Sequence, residues 1–246
     1  MDEVQFQLIT MKAIILAAGK GARLRKYHNK PKCLLTFSKN KISIIERLCK
    51  ILNKKGINKI FIVTGYKESL IKNKLGNIAK YIHFKNFNKS NNLQSLLAAK
   101  KELKGEIICF FSDLIFDEKI IDKILNKKKD FCLAIDTSKV LKDTMRIKLK
   151  RNNVINIGSH IKVSKAHGNF IGISKFSKKG TKMLKKYLIS HKDNRKDYYT
   201  VVFNKMVDDG RVINYLDTKK LFWKEIDTIK DLNSMNRIIK DKKFNY

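Results

Sequence analysis

Apolar residues along this chain fall into two textures that alternate through its first half. Short β-branched and aromatic runs, Ala13-Ile14-Ile15, Lys59 to Thr64 and Ile107-Ile108-Cys109-Phe110-Phe111, predict strands, the last continuous enough for burial on both faces. Between them apolar residues recur at helical spacing. Ile44, Ile45, Leu48, Cys49, Ile51 and Leu52 lead to a stop at Gly56, residues 67–75 read as helical, and Leu93, Leu96, Leu97 and Leu103 predict a helix starting near Ser90-Asn91-Asn92. Ile120, Ile121, Ile124 and Leu125 follow Asp117, a candidate cap. With Tyr81 to Phe87 extended, the alternation predicts βαβ units on a mostly parallel sheet.

From Phe131 the texture changes. Phe131 to Ile135, ending in Asp136, then Met145 to Leu149, Val154 to Ile157 and Asn169 to Phe176 read as strands with no long helix between them, which predicts a small antiparallel layer. Residues 177–190 return to a helix, with Met183, Leu184, Tyr187 and Leu188 on one face, and Asp197 to Val207 reads as helical too. Phe222 to Thr228 is a short strand carrying Asp227. Thr228 with Asp231 resembles a capping box ahead of a helix whose apolar face is Ile229, Leu232, Met235 and Ile239.

The candidate chemistry gathers where the first strand ends. Leu16-Ala17-Ala18-Gly19-Lys20-Gly21-Ala22-Arg23-Leu24 is a strand opening into a basic, glycine-bearing turn, and Pro31-Lys32-Cys33-Leu34 follows it. Glycines without a Cβ let main-chain N–H groups approach a phosphate. The spacing is neither that of a P-loop nor that of a dinucleotide fingerprint, so an ordinary strand-to-helix turn stands beside the phosphate reading. Asp113 closes the strand 107–111, and in open α/β sheets ligands bind beyond the carboxyl ends of the strands. Asp227 stands at a second such end, with a helix-start carboxylate as its alternative.

Composition changes this picture only a little. The 246 residues suffice for one sizeable core, and 43% apolar with 31% charged residues is ordinary globular material. The formal charge of +33 would suit a polyanionic partner, and a lysine-rich nucleic-acid-binding module is the rival of another class. Yet of the 55 basic residues only Arg23, Arg25, Arg47, Arg146, Arg151, Arg195, Arg211 and Arg237 are arginine, and the lysines are spread through every segment. That spread fits a solvated, compositionally biased surface better than a patch, so neither nucleic acid nor membrane is expected as a partner. Cys33, Cys49, Cys109 and Cys132 lie mostly in apolar stretches without C-x-x-C spacing, as buried thiols in a reducing, cytoplasmic setting would. Residues 1–10 form an acidic leader without signal-peptide architecture, and no run approaches a membrane span.

Taken together, L-A-A-G-x-G-x-R-L and P-K-x-L resemble the nucleoside-triphosphate-dependent nucleotidyltransferases that make activated sugars and amino alcohols. The resemblance covers most of the chain, from about Lys12 to the last helix. It implies a single α/β domain over residues 11–246, with a mostly parallel, Rossmann-like mixed sheet of the nucleotide-diphospho-sugar transferase type flanked by helices. Residues 11–128 would form the nucleotide-binding half and 129–246 the half with the antiparallel acceptor-binding layer. It further implies Mg²⁺ held by Asp113 and Asp227, with Arg23 and Lys32 as catalytic cations along the reacting phosphates. Leu16, Ala17, Ala18, Gly19 and Gly21 would lie along the nucleotide. For its base, Thr64-Gly65, Asn91, Asn92 and Ser95 are candidates, helix capping being the alternative for the two asparagines.

The attacking group would be a phosphate or phosphonate oxygen, and a phosphomonoester, with its second pKa near ~6, needs no general base at neutral pH. Gly168 to Ser177, Asp136-Thr137-Ser138, Asp143-Thr144-Met145 and Trp223 to Asp227 look closest to the cytidylyltransferases acting on phosphocholine, 2-aminoethylphosphonate and inositol phosphate. This implies CTP and a small phosphorylated or phosphonylated acceptor, with sugar-1-phosphate uridylyl or guanylyl transfer as the alternative. Asp136, Asn169, Asp197, Tyr198, Trp223 and Glu225 are the candidate acceptor residues. Some of these, with Tyr199, would cage an ammonium head group unless the aromatics are core. Monomer and homodimer both remain open.

Overall fold

A computed structural model describes residues 10–24, 28–37 and 41–241, the last three as backbone only. The leader before Thr10 and the side chain of Ile239 lie outside the described residues. In chain order the elements are β1 (Lys12–Ala17), a 3-10 turn (Lys32–Leu34), β2 (Thr36–Phe37), β3 (Ile42–Ser43), α1 (Ile44–Lys54), β4 (Lys59–Thr64), α2 (Glu68–Leu75) and β5 (Lys80–His83). They continue with α3 (Asn92–Ala98), β6 (Ile107–Phe111), β7 (Leu114–Phe116), α4 (Lys119–Leu125), β8 (Phe131–Asp136), β9 (Met145–Lys150), β10 (Asn153–Gly158) and β11 (Gly168–Phe176). The last are α5 (Lys178–Ser190), α6 (Val201–Asp208), β12 (Asn214–Asp217), β13 (Trp223–Glu225) and α7 (Ile229–Asp241).

β6, β1, β4 and β5 lie side by side and parallel, the βαβ half of the sheet. β11 then pairs antiparallel with β6, β8 and β9, and β10 pairs with β9, so the expected antiparallel strands are appended to the parallel ones through β11. β11 can serve three neighbours because one edge pairs with β8 while the other is divided, residues 168–170 pairing with β9 and residues 173–176 with β6. β1 reads as unbroken apolar sequence because both faces are covered: Ala13, Ile15 and Ala17 join one core with the α1 residues Ile45, Leu48 and Leu52, while Ile14 and Leu16 join a second with Leu93, Leu184 and Phe203.

Local chemistry explains most element ends. Ser43 and Glu46 form a full capping box at α1, and Ser177 accepts from the Gly180 amide at α5. Asp117 accepts from the Lys119 amide in the first turn of α4. Asp231 accepts from the Thr228 amide at 2.8 Å while the Thr228 hydroxyl accepts from the Asp231 amide at 3.2 Å, which opens α7.

Three expectations differ in extent. α3 ends at Ala98, and Leu103 reaches the same core from a following turn. Extended structure ends at His83, not Phe87. α6 starts at Val201 because residues 195–199 spend their backbone groups on α3: Arg195 O accepts from Asn91 N at 2.7 Å, Asp197 O from Leu93 N at 3.3 Å, and Tyr199 N donates to Asn92 Oδ1 at 2.8 Å.

Candidate active site

β7 and β13, each only three residues long, pair antiparallel with Leu114 opposite Glu225, and Ile226 N donates to Asp113 O at 2.9 Å. This ribbon carries Asp227 to the carboxyl end of β6, beside Asp113. The two aspartates therefore meet, although β13 lies off the main sheet instead of on its edge. Lys32 comes in from the 3-10 turn after Pro31. Its ammonium pairs with Asp113 Oδ2 and, at 2.6 Å, with Asp227 Oδ1, while an Arg23 terminal nitrogen lies 3.0 Å from Asp227 Oδ2.

The charges on this cluster follow from its surroundings. Burial, the largest influence on Lys32, works against its charge, yet the two carboxylates and the hydrogen bonds to them outweigh it and raise the ammonium above its ordinary range. Glu225 is pushed up to about 8, first by burial and then by Asp113 and Asp227, so at neutral pH it is mainly uncharged. Burial drives the Cys33 thiol up to about 12, which leaves it an inert neighbour, not a nucleophile.

These groups face a cleft of about 880 Å³. Leu16, Ala17, Ala18, Gly19, Gly21 and Arg23 line one wall together with Lys32, Asp113, Glu225 and Asp227. A Cβ placed on Gly19 would meet nothing within 4 Å, so this turn is open on its cleft side. Gly21 has φ +61°, and a Cβ there would stand 3.0 Å from Lys32 Cβ. The second glycine thus lets the turn close onto the lysine.

Asn91, Asn92 and Ser95 also line the cleft, joined by Phe87, Asn88 and Ser90. The Asn91 side chain is already engaged, accepting from the Asn92 amide at 2.9 Å and donating to Lys196 O at 3.2 Å. Helix capping therefore describes the Asn91 oxygen, whereas Asn92 Oδ1 holds the Tyr199 amide of a distant segment.

The acceptor candidates divide. Tyr198 and Glu225 line the cleft; Asp136, Asn169, Asp197 and Trp223 do not. Trp223 Nε1 donates to Asp136 Oδ2 at 2.8 Å, which ties these two to each other. Tyr199 is fully buried, its hydroxyl 2.9 Å from Ser174 Oγ, so the aromatic cage is not assembled and the core alternative holds for that tyrosine. Asn169, also fully buried, accepts from Leu141 N and Thr144 Oγ1, both at 2.9 Å, and donates to Lys139 O at 2.7 Å. It shapes the loop 139–144 from beneath instead of touching the cleft, and Asp197 contributes only its main chain to α3.

That loop contains Asp143-Thr144-Met145, already picked out in the sequence, and adds Lys142 and Arg146, which the residue patterns left out. Lys142, Asp143, Thr144, Met145 and Arg146 form the far wall with Ser159. Arg146 shares its face of β9 with Lys148 and Lys150, opposite the core-packed Met145, Ile147 and Leu149, so the alternation reads it as outward and only the loops around it bury it.

For a divalent ion, the donor set is suggestive in its sparseness. Among the described residues no three His, Cys, Asp or Glu side chains cluster at ligating distance. Two carboxylates do converge, and Asp113 Oδ1 is buried with no hydrogen-bond partner. Such a pair fits Mg²⁺, which takes few carboxylates and completes its shell with water and phosphate oxygens.

A cleft of this kind, at the carboxyl end of parallel strands and walled by bare main chain and paired charges, is where α/β proteins handle nucleotides, and the chain is a nucleotidyltransferase. It belongs to the MobA-like NTP transferase domain family, whose model matches residues 13–140. It is 28% identical over 187 residues to the CTP:phosphoglutamine cytidylyltransferase of Campylobacter jejuni, covering 68% of this chain and 73% of that enzyme. With the choline-phosphate cytidylyltransferase of Streptococcus pneumoniae it shares 38% identity over 110 residues, 43% of this chain and 46% of the other. The inositol-1-phosphate CTP transferase of T. maritima has the same fold, with a TM-score of 0.77 over 93% of both chains at 20% identity.

Proposed function

We propose that the protein transfers CMP from CTP, with Mg²⁺, to a small phosphorylated or phosphonylated acceptor and releases pyrophosphate. The observation that carries this reading is Lys32 held between Asp113 and Asp227 on the same cleft wall as the open Gly19 turn. The choice of CTP is supported by relatives named as cytidylyltransferases. In this reading the first half of the chain holds the triphosphate, with main-chain N–H groups of the turn and the cations Arg23 and Lys32 facing its oxygens.

Asp113 and Asp227 would hold the magnesium, which when bound neutralises phosphate charge and helps orient the reacting groups. Lys32 then stays near both anions and offsets their repulsion. The attacking phosphate is already deprotonated at neutral pH, so the side chains need only align it opposite the departing pyrophosphate.

The test is pyrophosphate release across a matrix of CTP, UTP, GTP, dTTP and ATP against phosphocholine, aminoethylphosphonate, phosphoserine, inositol phosphate and hexose phosphates, with and without Mg²⁺. Release with CTP, a phosphorylated acceptor and Mg²⁺ together is the expected result. Preference for another triphosphate with a hexose phosphate would replace the assignment, and no release from any combination would remove it.

A further inference from the structure

The acceptor wall holds a positive charge with no acidic partner. Arg146 is 8% exposed, and its guanidinium is given to main-chain carbonyls alone: Nε donates to Ile161 O at 2.5 Å, one terminal nitrogen to Lys142 O and to Leu141 O, and the other to Ser159 O. None of the ion pairs among the described residues includes it. A guanidinium cannot shed its proton to escape burial, as an amine can, so an unpaired one is costly for a fold to retain. The carbonyls it fastens belong to two loops, 141–142 and 159–161, that bound the cleft. Neutral carbonyls take four of the guanidinium's five N–H groups and leave its charge uncompensated.

Lys142 stands exposed on the same rim. Of the groups that would have caged an ammonium, Trp223 and Asp136 are paired together and Tyr199 is buried against Ser174, which leaves Tyr198 as the cage tyrosine on the cleft. Asp143 is the one acid of this loop segment.

We propose that the acceptor bears an anionic group, a carboxylate, at the end remote from its reacting phosphate, and that Arg146 and Lys142 select for it over a quaternary ammonium. This rests on the proposed function and narrows its substrate class. A carboxylate in the cleft supplies the counter-charge that Arg146 lacks, while a trimethylammonium in the same place meets like charge without the tryptophan and second tyrosine of a cage.

The experiment compares steady-state pyrophosphate release, with saturating CTP and Mg²⁺, for phosphocholine, phosphoethanolamine, O-phosphoserine and 3-phosphoglycerate. The carboxylate-bearing acceptors are expected to exceed phosphocholine in kcat/KM by at least about tenfold, as charge complementarity would dictate. Lys142→Gln, an exposed position where folding is not at stake, should raise the KM for the carboxylate acceptors about two- to fivefold, the scale of an exposed ion pair, with kcat and the KM for CTP unchanged. Arg146→Lys should keep part of the preference and Arg146→Gln lose it. Preference for phosphocholine, or an unaltered acceptor ratio in Lys142→Gln and Arg146→Gln, would overturn the inference while leaving the cytidylyltransferase reading intact. Absence of release with every acceptor and triphosphate would overturn both.

Discussion

At the phosphate end of the cleft, Gly19, Gly21 and Arg23 share one turn with Lys32 just beyond, and only the two aspartates arrive from a distance. At the end proposed for the acceptor the wall from Lys142 to Arg146 keeps its shape through Asn169 beneath it and the carbonyls of Ser159 and Ile161 beside it. The first end is main chain and fixed charge; the second is a set of loops held by two buried polar side chains. Substitutions at the first should therefore strike nucleotide handling directly, whereas at the second they should act through loop position.

The largest expected effect is at Lys32. Lys32→Met removes the cation shared by Asp113 and Asp227, and turnover should fall on the order of 10²–10³-fold, as when one preorganised electrostatic group is deleted from an active site. Stability should fall too, because two partly buried carboxylates lose their partner, but a denaturation midpoint will move far less than the rate. Near-normal steady-state kinetics would take Lys32 out of the phosphate end.

The two glycines come next, and they should separate binding from folding. The Cβ that Gly19→Val adds meets no protein atom within 4 Å, and the variant should fold normally while weakening nucleotide binding by about tenfold or more, since the new side chain stands where the phosphates would approach. Gly21→Val instead carries a left-handed backbone strain of about 1–2 kcal/mol and crowds Lys32, so its thermal midpoint should drop as well. Nucleotide titration beside thermal denaturation distinguishes the two. Equal midpoint losses would show that the turn is closed at both positions.

At the other end, Asn169→Ala deletes the hydrogen bonds that hold the loop 139–144, a loss of about 1–3 kcal/mol from leaving buried groups unpaired. Its kinetic mark should be a raised KM for the acceptor with the KM for the triphosphate unchanged. If both constants move together, the two ends are not separable in the way argued above.

Glu46 gives the smallest effect and a control far from the cleft chemistry. Burial draws its carboxyl upward, but the Ser43 hydroxyl and amide and the Lys74 ammonium more than cancel this and hold it below the usual glutamate value. A depressed folded-state value means that its contribution is complete above the unfolded value and is lost as pH falls through the folded one. Glu46→Gln should cost about 0.5–1 kcal/mol at neutral pH, progressively less in acid, and leave the kinetics alone. Equal stability losses at pH 7 and in acid would contradict the capping assignment.

How far the sequence foretold these two ends follows from the same difference. The Leu16 to Leu24 turn, the strands 59–64 and 107–111 and the helix 44–54 are local patterns, and each is legible because its signal lies within about a dozen residues. Asp113 and Asp227 could be picked out as strand-end acids. Their meeting depends on β7 and β13, which are too short for a period to be seen. The acceptor candidates fared otherwise: an Asp, an Asn and a Trp carry no mark in the sequence that tells a cleft residue from one spent on a partner, and Asp136, Trp223 and Asn169 are all spent. Arg146 was hidden for the complementary reason, since the four carbonyls around it come from two loops that only the folded chain brings together.

The fastening of α3 to residues 192–199 has a consequence of its own. Gln94 reaches Lys192 O at 2.5 Å, Asn91 takes Arg195 O and Lys196 O, and Asn92 takes the Tyr199 amide, all from an outer stretch in which residues 192–196 are exposed. A protease nicking that stretch would leave both fragments embedded in the sheet. It would nonetheless unpin the helix that bears Asn92 and Ser95, so the nicked protein should let go of its nucleotide while still melting as one body.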